Sequence, residues 1–167
     1  MRWNDLADEP CSLARAISVV GDRWTLLILR DCFLRVRRFE DFQARLGIAR
    51  PLLTRRLRGL VEDGVLARVA YSERPPRHEY RLTARGRDLY PVILALVHWG
   101  DVHLAGRKGR PLLHRHLECG RDFDPVTTCS ACGEVLDPRR VHVHPGPGAR
   151  DPRHLPAGRP SNGRNMK

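Results

Sequence analysis

The spacing of apolar residues changes twice along the first 105 residues, and this change constrains the fold more than any other feature of the sequence. As far as Gly64, apolar residues recur every three to four positions, which is the spacing of amphipathic helices. From Val65 to Leu82 they follow the shorter period of strands, and helical spacing then returns as far as about Leu104. This order predicts a mainly α-helical domain that carries a small β-hairpin.

The helical part before Gly64 divides at two turn signals. Gly21-Asp22 separates two short helices, which we expect over residues 13–20 and 24–33. The turn Gly47-Ile48-Ala49 separates a helix over 39–46 from a longer one that runs from about Arg50 to Asp63 and stops at Gly64. Two helices joined by a three-residue turn with a glycine form a helix-turn-helix.

The strand-like part predicts a hairpin. We expect strands over 65–71 and 78–82, joined by a turn-rich basic tip over 72–77. Thr83 is a suitable N-cap for a final helix that reaches about Leu104 and bends at Pro91. Helices, a helix-turn-helix, a hairpin and a last helix, in this order, make a winged helix.

The helix expected from Arg50 has two chemically different faces. At about 100° per residue, Leu53 and Leu57 lie on one side, whereas Thr54 and Arg55 project from the opposite half. Four arginines and no acidic residue lie between positions 50 and 58. A helix that reads DNA needs one face buried in its own domain and one that offers hydrogen-bond donors to phosphates and bases. An alternative is that the basic face only keeps the protein soluble.

The charge of the whole chain favours a polyanionic partner. Thirty Lys and Arg against 19 Asp and Glu give a net charge of +11. Arg74 and Arg77 flank the Pro pair at the hairpin tip and could contact a DNA backbone or minor groove. The candidate contacts to double-stranded DNA are Arg38, Arg50, Thr54, Arg55, Arg56, Arg58, Arg74 and Arg77. The rival hypothesis is a protein–protein interaction module that binds no specific DNA sequence.

Several strings resemble the HxlR-type winged helix-turn-helix transcriptional regulators over residues 10–103. The most specific are Trp24-Thr-Leu-Leu-Ile-Leu-Arg30 and Pro75-Pro-Arg-His-Glu-Tyr80. The others are Cys11-Ser-Leu-Ala, Gly21-Asp-Arg, Arg38-Phe39, Leu53-Thr-Arg-Arg-Leu57-Arg-Gly-Leu60, Glu62-Asp-Gly64 and Leu82-Thr83. The resemblance implies a bacterial protein that binds operator DNA as a homodimer through the first and last helices of the domain. We expect it to act as a repressor. Members often have Ser-Pro where this chain has Arg50-Pro51, so the first base-side contact differs.

The composition of the last helix also points to a dimer. It carries the apolar residues Tyr90, Val92, Ile93, Leu96, Val97, Trp99 and Val102. This is more apolar surface than a small core absorbs, so part of it is expected to contact a second copy. The alternative is that all of these residues pack in the core.

Cys11 is a candidate redox- or electrophile-sensitive thiol. It precedes a predicted helix and lies one turn from Arg15, and both features favour the thiolate. The resemblance adds that redox-sensing members place a cysteine here. The alternative is an inert small residue at a helix start, and Cys32 is expected to pack in the core.

Residues 106–144 contain two copies of one pattern of metal-ligand residues. His116-Leu-Glu-Cys119-Gly and Cys129-Ser-Ala-Cys132-Gly each place two ligands three positions apart, followed by a glycine that permits a tight turn. Three thiolates and one imidazole suit structural Zn(II), so we predict a small zinc-ribbon-like appendage. His114, His142 or His144 could replace His116, and the alternative is a reduced segment without metal.

We therefore expect three regions: a DNA-binding and dimerisation domain over 1–105, the zinc-knuckle-like extension over 106–144, and a disordered basic tail over 145–167. The tail has five Pro and four Gly among its 23 residues. The chain lacks a secretory signal and a membrane-length apolar run, so a cytoplasmic, nucleoid-associated protein without membrane contact is expected. It also lacks the common phosphate-loop and nucleophile motifs, and no enzymatic activity is expected.

Overall fold

The computed structural model describes residues 6–149. Of these, residues 19–125 form one compact unit, and residues 6–18 with 126–149 form a second. Helices α2 to α6 and both strands lie in the first unit. The predicted boundaries at residues 105 and 144 stay predictions.

The first two helices form where the sequence predicts them. Helix α1 covers Ser12–Val20, and α2 covers Arg23–Phe33. Asp22 begins α2 because its Oδ1 accepts hydrogen bonds from the backbone N–H groups of Trp24 and Thr25, at 2.9 and 3.3 Å. These bonds satisfy two donors that have no partner within the helix.

The helix-turn-helix also matches the prediction. Helix α3 covers Phe39–Leu46, and α4 covers Arg50–Glu62. Gly47 ends α3 with a φ of 61° and donates its N–H to the Gln43 carbonyl at 3.0 Å. After α4, Gly64 has a φ of 68°. This left-handed conformation favours glycine and explains the end of the helix.

The hairpin is longer than predicted. Strand β1 covers Leu66–Glu73 and pairs antiparallel with β2, which covers Pro76–Leu82. Only Arg74 and Pro75 remain unpaired at the tip. The register shifts between Ala70 and Ser72, so Tyr71 has no partner residue in β2. The Pro pair suggested a longer turn. Pro76 is nevertheless tolerated at the start of a strand because this position need not donate to the ladder.

The last helical segment is broken rather than bent. Thr83 caps α5 (Ala84–Arg87) by accepting the Gly86 N–H at 3.0 Å, as predicted for this residue. A separate helix α6 covers Tyr90–Leu104, with Pro91 in its first turn. Proline has no N–H to donate and is favoured in the first turn, so it begins a helix here.

The core of the first unit is formed by α2, α3, α4, α6 and the start of β1. Its buried members are Ile28, Leu29, Phe42, Ile48, Leu53, Leu57, Leu60, Val65, Leu66 and Ile93. One carboxylate is fully buried beside this core: Asp31 of α2 accepts hydrogen bonds from Arg30 and from Arg45 of α3. This charged group therefore links two of the helices that surround the core.

The chain after α6 has little regular structure. Two short 3-10 helices cover Gly106–Lys108 and Pro138–Arg140. Of the predicted tail over 145–167, only residues 145–149 are described, and the rest lies outside the described residues. Among the helices of residues 6–149, none combines the length and the apolar content that crossing a bilayer requires.

Candidate nucleic-acid interface

Helix α4 is held by its leucines and presents polar groups on its other side. Leu53 and Leu57 are completely buried, whereas Thr54 and Arg55 are exposed. The apolar side contributes about 1.5–3 kcal/mol for each fully buried leucine. The core thus fixes the orientation of the exposed side. We define the basic face of α4 as Arg50, Thr54, Arg55 and Arg58.

The N-terminus of α4 has no side-chain cap. Ala49 occupies the N-cap position, and Arg50 is the first residue of the helix rather than its cap. The Arg50 guanidinium lies 4.7 Å from the centre of the Phe39 ring, which holds it beside the start of the helix. The positive end of the helix dipole and this guanidinium make the N-terminus suited to an anion.

The polar residues in the middle of α4 differ in the hydrogen bonds that they make within the protein. Thr54 donates its hydroxyl to the Arg50 carbonyl at 2.9 Å. Arg58 donates to Glu62 at 2.7 Å, in an exposed pair one helical turn apart. Among the interactions of the described residues, Arg55 has no hydrogen-bond or ion-pair partner within the protein. Its guanidinium is therefore the one on this face most available to a ligand.

Arg56 differs from the other arginines of α4. It is half-buried, and its Nη2 lies 2.9 Å from Oδ2 of Asp22. Asp22 thus caps α2 with one oxygen and binds α4 with the other. Arg56 fixes the helix to its neighbour and leaves Arg55 and Arg58 pointing outward.

The wing, formed by β1, β2 and their tip, carries two further exposed arginines. Arg74 lies at the tip, and Arg77 is the second residue of β2. The base of the wing is held to the domain by the Tyr80 N–H, which donates to the Arg37 carbonyl at 2.8 Å. Arg38 lies 4.9 Å from the centre of the Tyr71 ring, on the surface of the wing. The predicted Arg38, Arg74 and Arg77 are thus all exposed.

Two cysteines of the helical region have different environments. Cys11 is half-buried immediately before α1, and the nearby Arg15 donates to the Ser12 hydroxyl at 3.3 Å. Cys32 packs against the core, as predicted. Burial, with a smaller contribution from the charge of Asp31, raises the pKa of the Cys32 thiol to about 12. Cys32 therefore stays protonated and unreactive near neutral pH.

The two Cys/His segments share one backbone geometry. In the first knuckle, residues 116–120, the Gly120 N–H donates to the His116 carbonyl at 2.8 Å, and Gly120 has a φ of 67°. In the second knuckle, residues 129–133, the Gly133 N–H donates to the Cys129 carbonyl at 2.8 Å, and Gly133 has a φ of 77°. A single residue-pair bridge flanks each knuckle. Both glycines adopt the tight turn that the sequence predicts.

The donor groups of the knuckles are accessible. Cys119 and Cys132 are exposed, and Cys129 is half-buried. Hydrogen bonds from the Ala131 and Cys132 backbone, followed by the Cys132 side chain, lower the pKa of the Cys129 thiol. Within residues 6–149, no three His, Cys, Asp or Glu side chains are grouped closely enough to hold one ion. The zinc site and its fourth ligand therefore stay predictions.

Helix α6 has an apolar side that is about half exposed. Val92, Trp99 and Val102 are 48, 56 and 54% exposed. At about 100° per residue these three side chains lie on one face, away from the buried Ile93. We define them as the outer face of α6. The alternative that all apolar residues of this helix pack in the core is therefore wrong.

The sequence is similar to known proteins over most of its length. The family model "HxlR-like helix-turn-helix" matches residues 19–108. A Mycobacterium tuberculosis protein, Rv3095, described as an uncharacterised HTH-type transcriptional regulator, is 52% identical over 137 residues, which is 82% of this chain and 87% of the relative.

Two solved structures share this fold. The crystal structure of PA1607, a proposed transcription factor, has a TM-score of 0.74 and 33% identity, covering 82% of this chain and 96% of that one. The redox regulator HypR in its oxidised form has a TM-score of 0.52 and 32% identity, covering 56% of this chain and 97% of that one. The winged-helix architecture is therefore shared with regulators of transcription.

Proposed function

Because the chain belongs to the HxlR-like helix-turn-helix family, we propose that it is a transcriptional regulator that binds double-stranded DNA through the basic face of α4 and the wing. The observation that carries this proposal is the orientation of α4. Leu53, Leu57 and Leu60 are buried, Arg50, Arg55 and Arg58 are exposed, and Arg55 has no hydrogen-bond or ion-pair partner among the described residues. We further propose that the protein acts as a repressor by occupying operator DNA.

The arrangement supports both kinds of contact that specific binding needs. Contacts to phosphates orient a protein on the duplex, whereas contacts to base edges provide specificity. Arg50 at the start of α4 and Arg74 and Arg77 on the wing are suited to phosphates or the minor groove. Arg55 and Arg58, in the middle of α4, are suited to base edges in the major groove.

We propose that the protein binds as a homodimer. The outer face of α6 leaves three large apolar side chains exposed, which is costly for an isolated monomer. In α1, Leu13 is 67% exposed. A second copy related by twofold symmetry would cover the same surfaces on both partners. Two recognition helices would then read two half-sites one DNA turn apart.

The proposal is tested by recovering genomic fragments that the purified full chain binds and measuring affinity for them against salt. We expect affinity to fall by about three orders of magnitude between about 50 and about 200 mM salt, as for six or more phosphate contacts. Scrambled duplexes of equal length are the control. The interaction-module alternative predicts no enriched fragment and equal, weak binding to both duplexes.

We propose that Cys11 makes DNA binding sensitive to oxidants. The half-buried thiol before α1 and the similarity to the redox regulator HypR support this role. We expect diamide to change the affinity of the wild-type protein for its operator but not that of Cys11→Ser. Cys32 is not expected to contribute to the response to diamide, because its raised pKa of about 12 keeps the thiol protonated in the folded protein. Equal responses of both proteins to diamide would remove Cys11 from the account.

We also propose that the two knuckles hold one structural zinc ion through His116, Cys119, Cys129 and Cys132. The matching backbone turns of the two knuckles support this ligand set. Zinc bound by four protein ligands would stabilise a segment that has few buried apolar residues. His114, His142 and His144 stay open as alternatives to His116.

The zinc proposal predicts about one zinc per chain by elemental analysis of protein purified without added metal. Cys129→Ser is expected to lose the metal and to expose residues 106–144 to limited proteolysis. Cys11→Ser, which removes a thiol outside both knuckles, should keep it. Metal-free wild-type protein, with a protease pattern that Cys129→Ser leaves unchanged, would contradict the assignment.

A further inference from the structure

A cavity of about 540 Å³ lies in the first unit between α2, α6 and the residues that follow α6. Phe33 closes it on the α2 side, Val97 and Leu104 line it from α6, and Leu112 contributes from the extension. Its volume is within the range of small-molecule sites, which is about 300–1,000 Å³. The winged helix and the extension therefore border an apolar space that is partly open to solvent.

Gly100 keeps this cavity open. It lies inside α6 and lines the cavity, and apart from its chain neighbours and the backbone of α6 no atom lies within 4 Å of the position that a Cβ would occupy. A glycine inside a helix destabilises it by about 0.5–1 kcal/mol relative to alanine. Since close packing does not require a glycine at this position, a larger side chain would extend into the empty space.

The Arg45 guanidinium at the edge of the cavity is held by one hydrogen bond and has further N–H groups free to donate. Arg45 lines the cavity, and its Nε donates to Oδ2 of the buried Asp31 at 3.1 Å. Its two terminal nitrogens have no partner among the described residues. Such a fork binds a carboxylate through two parallel hydrogen bonds.

The remaining charges of the lining are compatible with a carboxylate at Arg45. Arg30 also lines the cavity and shares Asp31. The one carboxylate in the lining, Asp101, interacts electrostatically with Arg110. The nearby charge of Arg110, which forms its ion pair with Asp124, therefore offsets only part of the repulsion that an acidic ligand would meet from Asp101.

We propose that this cavity binds a small aromatic carboxylate, with its ring against the apolar walls and its carboxylate on Arg45. We further propose that occupancy of the cavity changes the affinity for DNA, a claim that rests on the proposed function. The outer face of α6, which we assign to the second copy, lies on a different side of the helix from Val97 and Gly100. The ligand and the partner would therefore not compete for the same side of α6.

The binding claim is tested by calorimetry on the full chain without DNA, with 1-naphthoate as the probe. We expect Gly100→Leu to weaken binding by about 10-fold or more, because it fills the cavity, and Gly100→Ala to retain most of it. The neutral 1-naphthalenemethanol should bind the wild type about 10-fold more weakly than the acid, and Arg45→Gln should remove this preference. Because Arg30 still pairs with Asp31 in Arg45→Gln, that variant keeps one partner for the buried carboxylate.

Three results would overturn the site. They are no binding of 1-naphthoate to the wild type, unchanged binding to Gly100→Leu, or equal affinities of acid and alcohol for the wild type. A change in oligomeric state of Gly100→Leu without any ligand binding would assign the cavity to a second copy instead.

The effect of the ligand on DNA affinity is measured separately. If the ligand binds but operator affinity is unchanged, the regulatory claim is wrong while the proposed function stands. If no operator is found, only the calorimetry decides the site.

Discussion

Replacing Arg55 with alanine is expected to weaken operator binding by about 10- to 100-fold, or roughly 1–3 kcal/mol, and to relax preference at one base pair. Arg55 is exposed in the middle of the basic face, and within the described residues nothing in the protein competes for its guanidinium. The loss should therefore appear in binding and not in stability. Fluorescence anisotropy with the operator and with single-base variants of it measures both effects.

Matched variants separate a specific contact from a general loss of charge. Arg107→Ala removes the same charge from an exposed position after α6 and should leave affinity nearly unchanged. Arg58→Ala should act in the same direction as Arg55→Ala but less strongly, because Arg58 must first leave Glu62. Arg77→Ala should weaken binding to all sequences alike, as expected for a phosphate contact. Equal effects of all four variants would favour the interaction-module alternative.

The second large effect is expected on stability. We expect Gly86→Ala to lower the free energy of unfolding by about 1–3 kcal/mol, because a Cβ at this position would lie 2.2 Å from the Val65 carbonyl oxygen. That oxygen also accepts the Thr83 N–H at 3.1 Å. The added methyl group would therefore separate α5 from the start of the hairpin. Thermal unfolding should report a decrease in Tm of roughly 5–15 °C.

Gly59→Ala is the matched control for Gly86→Ala. Gly59 lies inside α4, and apart from its chain neighbours and the backbone of α4 no atom lies within 4 Å of its Cβ position. The same substitution should therefore raise stability by about 0.5–1 kcal/mol, since alanine favours the helix. A Gly86→Ala protein as stable as the wild type would show that the contact with Val65 is not tightly packed.

The element order was predictable because the chain marks most of its boundaries with local signals. Asp22 caps α2, Gly47 and Gly64 end α3 and α4 with positive φ angles, and Thr83 caps α5. Each of these caps and glycines acts on residues close to it in sequence, so the sequence alone is sufficient to predict where the helix begins or ends. The orientation of α4 was predictable for the same reason, since Leu53, Leu57 and Leu60 form one apolar side of the helix.

Features that depend on distant contacts were not predictable. The sequence suggested that Arg56 faces DNA like its neighbours, but its partner Asp22 lies 34 residues away. The burial of Asp31 between Arg30 and Arg45 depends on how α2 meets α3. The one local indication of this buried carboxylate was that Asp31 is the single acidic residue of the mostly apolar α2. The cavity at Gly100 depends on α2, α3, α6 and the extension meeting, which no spacing of residues reveals.

The central claim is that α4 lies in a groove of duplex DNA with its basic face toward the bases. Photo-crosslinking tests it most directly, with p-benzoylphenylalanine placed at position 54 on α4, at 74 on the wing, or at 92 on the outer face of α6. We predict crosslinks to operator DNA from positions 54 and 74, at sites repeated about one helical turn apart, and none from position 92. Crosslinking from position 92 with none from position 54 would contradict the account.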